Sequence, residues 1–289
     1  MNYIDRALRK IETKAIRHRL EKNENRNLQL NTKPRDKKII VSLTSYPARF
    51  QDLHLVIKSI FTQTVLPDQI ILYLDEGVED SQIPNSLKDL ESYGLSIIVG
   101  GADIKPHKKY YYAMKDNPES IIITVDDDNM YRPDTIEKLM NSYRKYPEAV
   151  SCLRAHRIIF DNNQKLLPYM SWDLVCTDII NTPSLELLAT GVGGVLYPPN
   201  CMNEELFNLD NIKNLCLGAD DIWLKYMQLL SGTKVVAVER KKRLANPLPA
   251  DTKGVSALAV GNVLQSANDR YIDNLEQYYK KSFYELIKK

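Results

Sequence analysis

Apolar positions change their spacing several times along the chain, and each change marks an element. Over residues 1–30 they recur at helical intervals, with Ile4, Ala7, Leu8, Ile11, Ala15 and Leu20 on one side and most Arg and Lys elsewhere. That is a basic amphipathic helix, suited either to packing on its own domain or a second subunit, or to an anionic membrane surface. Residues 23–35, rich in Asn and containing Pro34, read as a linker. Short apolar runs then alternate with helical patterns: strands at 38–44, 69–74 and 95–99, helices at 53–61, 87–93 and 108–115. Strands and helices alternating at these intervals imply right-handed crossovers and a mostly parallel sheet.

The run Ile121-Ile122-Ile123-Thr124-Val125 is apolar without alternation, as a strand covered on both faces must be. It ends in Asp126-Asp127-Asp128. Three adjacent like charges repel, and a hard divalent cation holding a phosphate group relieves that repulsion. The same triplet also fits a solvated acidic turn before the helix that starts near Pro133. The earlier strands end in polar turns too: residues 44–49, Asp75-Glu76-Gly77 and Gly100-Gly101-Ala102-Asp103. Open parallel sheets bind ligands at this carboxyl edge.

Beyond Pro133 a helix to Tyr146 and a strand at 149–153 precede a less regular stretch. It holds the aromatic and polar segment Tyr169-Met170-Ser171-Trp172-Asp173 and the glycine-rich Thr190-Gly191-Val192-Gly193-Gly194-Val195, which enters a short strand. A helix at 220–230 with acids at its start, a strand at 234–238, a Pro-, Gly- and small-residue loop at 244–261 expected to be mobile, and a Tyr- and Lys-rich amphipathic helix from Asn268 complete the pattern.

With 289 residues, 44% of them apolar and 26% charged, the chain can bury a full core. A net charge of +2 gives no global sign of nucleic-acid binding, although basic residues are in excess before Ile39. Four cysteines without C-x-x-C spacing read as free thiols of a reducing compartment. No stretch has the length of a membrane span and no signal-peptide core is present, so the expected location is cytoplasmic, with peripheral association at the inner membrane face open.

The order Asp75-Glu76-Gly77, Lys108-Lys109, Asp126-Asp127-Asp128, Gly193-Gly194 and Asp220-Asp221 resembles that of GT-A glycosyltransferases, family 2 and related bacterial enzymes of capsule, O-antigen and other surface-polysaccharide synthesis in particular. The resemblance covers roughly residues 38–240 and is most specific from Pro106-His107-Lys108-Lys109-Tyr110 through Asp126-Asp127-Asp128-Asn129-Met130-Tyr131. It implies an α/β, Rossmann-like, mostly parallel sheet flanked by helices, with N- and C-terminal helical appendages. Residues 1–36 would be helix and linker, and 37–245 the catalytic domain, divided into a nucleotide-binding half (37–132) and an acceptor half (133–245). Residues 246–289 would be loop and terminal helix.

The resemblance also implies roles. Asp126 and Asp128 match a D-x-D element that contacts the donor ribose and a Mn²⁺ or Mg²⁺ ion bridging the diphosphate, with Asp127 near the sugar. Thr44, Ser45, Tyr46 and Arg49 match the loop that embraces the nucleotide, Arg49 reaching a phosphate. Asp75 matches the acid that hydrogen-bonds the base, though an ordinary turn residue fits there as well. Lys109, with Lys108 as its rival, falls where a lysine faces the donor. Gly191, Gly193 and Gly194 would let backbone approach the sugar, or simply make a tight turn. Asp220-Asp221 resembles the acidic pair of inverting enzymes, with Asp221 as base and helix capping as the alternative. Tyr169 and Trp172 would stack an acceptor sugar. The last histidine is His156, so no late histidine ligand is available and Asp side chains, diphosphate and water must hold the ion.

The expected partners are therefore a nucleotide-sugar donor, a UDP-sugar first, and a glycan or lipid-linked glycan acceptor, with a homodimer and a membrane surface open and no nucleic acid. Alternatives are a retaining GT-A transferase, a sugar-nucleotide nucleotidyltransferase and a non-catalytic glycan-binding module. The second expects a glycine-rich turn after the first strand, and residues 43–50 contain no glycine. The third expects the carboxylates to be lost, yet Asp126, Asp128 and Asp221 are present.

Overall fold

The computed structural model describes residues 3–22, 28–238, 245–247 and 267–288. Strands β1 (Ile39–Thr44), β2 (Gln69–Leu74), β3 (Leu95–Val99) and β4 (Ile121–Thr124) form where the apolar runs lie, with β1 parallel to β2 and β4, and β2 parallel to β3. β1, β2 and β4 are buried along almost their whole length, which is why their sequences do not alternate. The connecting helices are α2 (Phe50–Phe61), α3 (Asn85–Lys88) and α4 (Lys108–Asp116), preceded in the chain by α1 (Tyr3–Lys22). The helix expected at 87–93 divides into α3 and a 3₁₀ turn, Asp89–Tyr93, stopped by Gly94 at φ 105°. Only glycine adopts that left-handed conformation without strain.

The second half contributes β5 (Asn129–Tyr131), α5 (Thr135–Lys145), β6 (Val150–Cys152), β7 (Ala155–Arg157), β8 (Leu187–Ala189), β9 (Val195–Tyr197), α6 (Leu209–Leu215), α7 (Asp220–Leu230) and β10 (Val235–Ala237). The main sheet has seven strands in the order β10-β6-β9-β4-β1-β2-β3. β9 runs antiparallel to both β4 and β6, and β10 is parallel to β6. β6 therefore points the same way as β4, and the residues just after both strands reach one sheet edge. This edge carries the chemistry.

Two further details depart from the sequence reading. Ala245–Pro247, inside the stretch expected to be a mobile loop, is a strand, β11, paired antiparallel with β5. β5 lies outside the main sheet and offers a free backbone edge for that pairing. The remainder of that expected loop, beyond Pro247, lies outside the described residues. On α1, Ile11 is 65% exposed and Ala15 is exposed, while Leu20, with Ile16 beside it, packs on Leu55 of α2 and on Met130. Arg17 fixes the docking through two hydrogen bonds to Asp52 of 3.0 and 2.9 Å, and Arg132 adds an ion pair to Glu12 at 2.8 Å. The inward face is thus rotated from the expected apolar stripe because these polar contacts help set the docking. Ile4, Ala7 and Leu8 have side chains outside the described set.

α8 (Ala267–Tyr279) and α9 (Phe283–Ile287) bury Ile272, Leu275, Phe283, Leu286 and Ile287 in the same core as α7. The apolar side of the C-terminal helix therefore faces protein. Among the described residues no helix is long and apolar enough to cross a membrane. All four cysteines are buried free thiols.

Candidate active site

At the carboxyl edge of β1, β2 and β4 the turns surround a cleft of about 500 Å³. Thr44, Ser45, Tyr46, Arg49, Asp75, Lys108, Lys109, Asp126, Asp127, Asp128, Gly191, Asp220 and Asp221 all line it. Residues separated by up to 177 positions meet there because each terminates a strand or begins a helix at this edge. The bend after β4 is pinned from below. The Asp126 amide donates to the hydroxyl of buried Tyr131 at 2.7 Å, and the Tyr131 amide donates to Ser59 Oγ at 2.9 Å.

Lys108 and Lys109 open α4 as consecutive residues, so their side chains leave the helix about 100° apart. Lys108, almost fully buried, pairs with Asp75 after β2 and lies 3.5 Å from Asp103 after β3. Lys109 turns to the other side, 3.1 Å from Asp126 Oδ1 and 2.7 Å from Asp220 Oδ2. Burial alone would discharge Lys109, but Asp126, Asp220 and Asp221 outweigh it and hold its pKa well above the ordinary lysine value. It remains an ammonium. One cation thus joins the end of β4 to the start of α7.

Asp127 lines the cleft, but both of its carboxylate oxygens are engaged by neighbouring side chains. One oxygen accepts from Ser45 Oγ at 2.7 Å and the other from Arg49. It fixes the turn after β1, and its carboxyl is raised by burial against the pull of Arg49. The expectation that Asp127 meets the sugar therefore gives way to a bracing contact. Arg49, expected at a phosphate, is held between Asp127 and Asp128, 3.6 Å from the latter. Tyr46, 36% exposed, carries the Arg49 guanidinium over its ring at 5.4 Å from the centroid. Thr44 Oγ1 donates to the Tyr73 carbonyl at 2.8 Å, so its hydroxyl supports the strand end.

Asp128 is the more open acid of the triplet. Burial, then Asp126 and Asp127, push it up to about 6. Asn129 Nδ2 donates to its Oδ1 at 2.5 Å. The described residues contain no cluster of three or more His, Cys, Asp or Glu able to hold a metal ion by themselves. Asp126 and Asp128 offer hard oxygen donors at the same bend after β4. The set fits a divalent ion shared with a phosphate-bearing ligand.

Asp220 and Asp221 begin α7 and behave differently. Burial would raise Asp220, but Lys109 outweighs it and holds the carboxyl below its ordinary value. Asp221 is pushed up to about 8 by burial and then by the Asp220 charge, against Lys109 and the Gly191 amide. Two adjacent carboxyls with pKa values driven apart are the usual arrangement for one group that stays ionised and one that exchanges a proton.

Of the glycines, Gly191 alone lines the cleft among those predicted. A Cβ there would lie 2.7 Å from Asp126 Oδ1 and 2.9 Å from Lys109 Nζ, so the close approach is to the ion pair. Gly193 (φ 100°) and Gly194 (φ 98°) form the turn into β9 instead, and the tight-turn reading of them fits. Tyr169 and Trp172 do not line the cleft. They are 9% and 4% exposed, their rings pack at 5.0 Å, and Trp172 Nε1 donates to the Leu167 carbonyl at 2.8 Å. Neither is a free stacking platform, because the sequence put aromatic and polar residues together without fixing which way the rings turn.

Residues not foreseen as site members also line the cleft: Asp103, Lys105, Pro106, Val125, Val192 and Gly218. Asp103 was visible as the end of a strand-terminal turn. Lys105 takes a left-handed conformation (φ 52°) directly before Pro106, a strained placement of the kind concentrated at functional rims. His107, fully buried, has Nε2 2.9 Å from the Cys216 carbonyl, so it donates there and accepts from Tyr110 through Nδ1 at 2.7 Å. Burial lowers its pKa to about 4, and the neutral ring ties the start of α4 to the segment before α7.

The seven-stranded, mostly parallel sheet with β9 reversed is a GT-A-like α/β fold. A mannosyltransferase, PcManGT from Pyrobaculum calidifontis, solved with GDP-Man and Mn²⁺, superposes with a TM-score of 0.51 at 9% identity, covering 96% of this chain and 74% of its own. A 4-diphosphocytidyl-2C-methyl-D-erythritol synthase gives 0.44 at 10% identity over 77% and 99%, and a CMP:2-keto-3-deoxy-manno-octonic acid synthetase complexed with CTP gives 0.38 at 13% over 70% and 88%. At these identities the likeness concerns the fold. No protein-family model matches the sequence, and no curated protein matches it.

Proposed function

We propose that the protein is a glycosyltransferase that moves a sugar from a nucleotide-sugar donor to a hydroxyl of a glycan or lipid-linked glycan, with inversion at the anomeric carbon. The observation that carries this reading is the Lys109 bridge: it sets Asp126, an acid of the strand-end triplet, beside Asp220 and Asp221 in one cleft. The sequence resemblance to family 2 enzymes supports surface-polysaccharide synthesis as the setting.

Asp75 and Lys108, paired at one end of the cleft, would meet the base, a carboxylate to accept a ring N–H and an ammonium to donate to a keto oxygen. That pair suits uracil or guanine, and a UDP-sugar is the first candidate. Tyr46 offers a ring face at the cleft mouth. Lys109 and Arg49 supply fixed positive charge to the diphosphate. Asp126 and Asp128 would hold Mn²⁺ or Mg²⁺, which when bound with the diphosphate neutralises negative charge on the leaving group. In its ionised form Asp221 takes the proton from the acceptor hydroxyl as that oxygen attacks, while Asp220, kept ionised by Lys109, holds the lysine in place.

The test is a thermal-shift panel of nucleotide sugars with and without Mn²⁺. A donor at about 100 times its Kd stabilises the native state by about 2.7 kcal/mol. One nucleotide class should raise Tm, more so with Mn²⁺, and Asp128→Ala should remove the metal-dependent part. A panel in which no nucleotide sugar shifts Tm sinks the reading.

A further inference from the structure

Arg154 follows β6 by two residues and so lies on the sheet edge that carries the Asp triplet, displaced toward α7 and away from Asp75. Its carbonyl accepts from the Thr190 amide at 3.1 Å and the Thr190 hydroxyl at 3.4 Å. The next amide, that of Gly191, is directed at the Asp221 carboxyl. The backbone therefore ties Arg154 to the proposed base through one dipeptide.

The other cations around this edge are already committed. Lys108 holds Asp75, Lys109 holds Asp126 and Asp220, Arg49 holds Asp127, Lys105 lies 3.7 Å from Asp103, and Arg157 lies 3.2 Å from Glu186. Arg154 is half-buried, and among the described residues its guanidinium has no ion-pair or hydrogen-bond partner. Nor does it line the cleft that Asp75, Lys108 and the triplet enclose. Its backbone is thus close to the proposed base, and the residue stands outside the donor space.

We infer that Arg154 is a specificity-determining residue that receives an anionic group of the acceptor, a phosphate or a carboxylate, next to the hydroxyl that is glycosylated. This rests on the reading of Asp221 as base. A guanidinium presents parallel N–H donors that match two oxygens of either anion, and charge-assisted bonds of this type are roughly twice as strong as neutral ones. The two sources of such an anion are a phosphorylated or diphosphate-linked acceptor and an acidic glycan.

The experiment measures binding of methyl glucoside, methyl glucuronide and a glucosyl phosphate to the full chain, with the donor space filled by a nucleoside diphosphate and Mn²⁺. Calorimetry or saturation-transfer NMR reads the affinities. At least one anionic probe should bind about tenfold or more tightly than the neutral glucoside, a difference of about 1.4 kcal/mol. Phosphate preferred over uronate identifies the phosphorylated class, and the reverse order the acidic glycan. Arg154→Gln should erase the discrimination and Arg154→Lys should keep part of it, while Arg144→Gln, on the exposed end of α5, leaves it intact. Equal affinity for all three probes overturns the inference, as does discrimination that survives Arg154→Gln in a variant whose melting curve shows it folded. Failure of every nucleoside diphosphate to bind would instead count against the proposed function, and the probe comparison, made without nucleotide, would still read Arg154.

Discussion

Around α4 the acids have cations in contact: Asp75 has Lys108, Asp126 has Lys109, and Asp127 has Arg49. At the start of α7, Asp221 has no ion-pair partner among the described residues, and Arg154, joined to it through the Thr190-Gly191 backbone, has none either. The first region spends its charges on each other, which fixes the turns. The second leaves an acid that burial and Asp220 push up to about 8. A region of paired charges suits binding of a charged donor, and a region with an uncompensated acid suits proton transfer.

The sharpest way to break this contrast is Asp221→Asn, which keeps size and hydrogen bonding but removes the proton acceptor. Turnover should fall by about 10² to 10⁴. Because the base works ionised, wild-type turnover in the donor-bound enzyme should rise with pH toward the Asp221 pKa, and that limb should vanish in the variant. Stability supplies the sign check. An acid raised in the folded state binds its proton there over a range where the unfolded chain has lost it, so its contribution to stability falls as pH rises between the ordinary carboxyl value and about 8. Asp221→Asn should therefore flatten that decline in thermal melts.

Lys109→Met tests the paired region. It leaves Asp126 and Asp220 facing each other without the buried ammonium, and breaking a buried pair from one side costs about 3–5 kcal/mol. Chemical denaturation should show that loss near neutral pH, and less of it in acid, where the carboxyls protonate. An unchanged stability would mean that the bridge contributes little.

Gly191→Ala is milder. Its Cβ would press on Asp126 Oδ1 and Lys109 Nζ, both ends of flexible side chains that can shift. We expect a loss of donor affinity of about tenfold and a small change in Tm, against little change for Gly193→Ala in donor affinity but more strain in the turn, where φ is 100°.

Much of the donor region was legible because strand ends announce themselves: an apolar run that stops at a charged turn fixes both the element and its edge. Asp75 and the triplet were read that way, whereas Lys108-Lys109 came from the family resemblance. What the sequence withheld was direction. Consecutive lysines look equivalent until a helix separates them, and Asp127 reads like its neighbours until Ser45 and Arg49 close on it. Tyr169 and Trp172 advertise stacking by composition, yet the core needed their rings. Asp103 and Lys105 escaped because their value depends on Lys108 meeting β2 and β3 together. Arg154 escaped because a significant absence, a cation without a partner, has no sequence pattern at all.

The central claim is that donor binding and proton transfer are carried by separate ends of one cleft. Nucleotide-sugar binding by thermal shift and nucleoside diphosphate release, measured on the same samples with Mn²⁺ for wild type, Asp128→Ala and Asp221→Asn, test it most directly. The account predicts that Asp128→Ala loses release and the Mn²⁺-dependent part of the thermal shift, whereas Asp221→Asn keeps that part and loses release. Full release by Asp221→Asn, or loss of the thermal shift in that variant while Asp128→Ala retains it, would contradict the account.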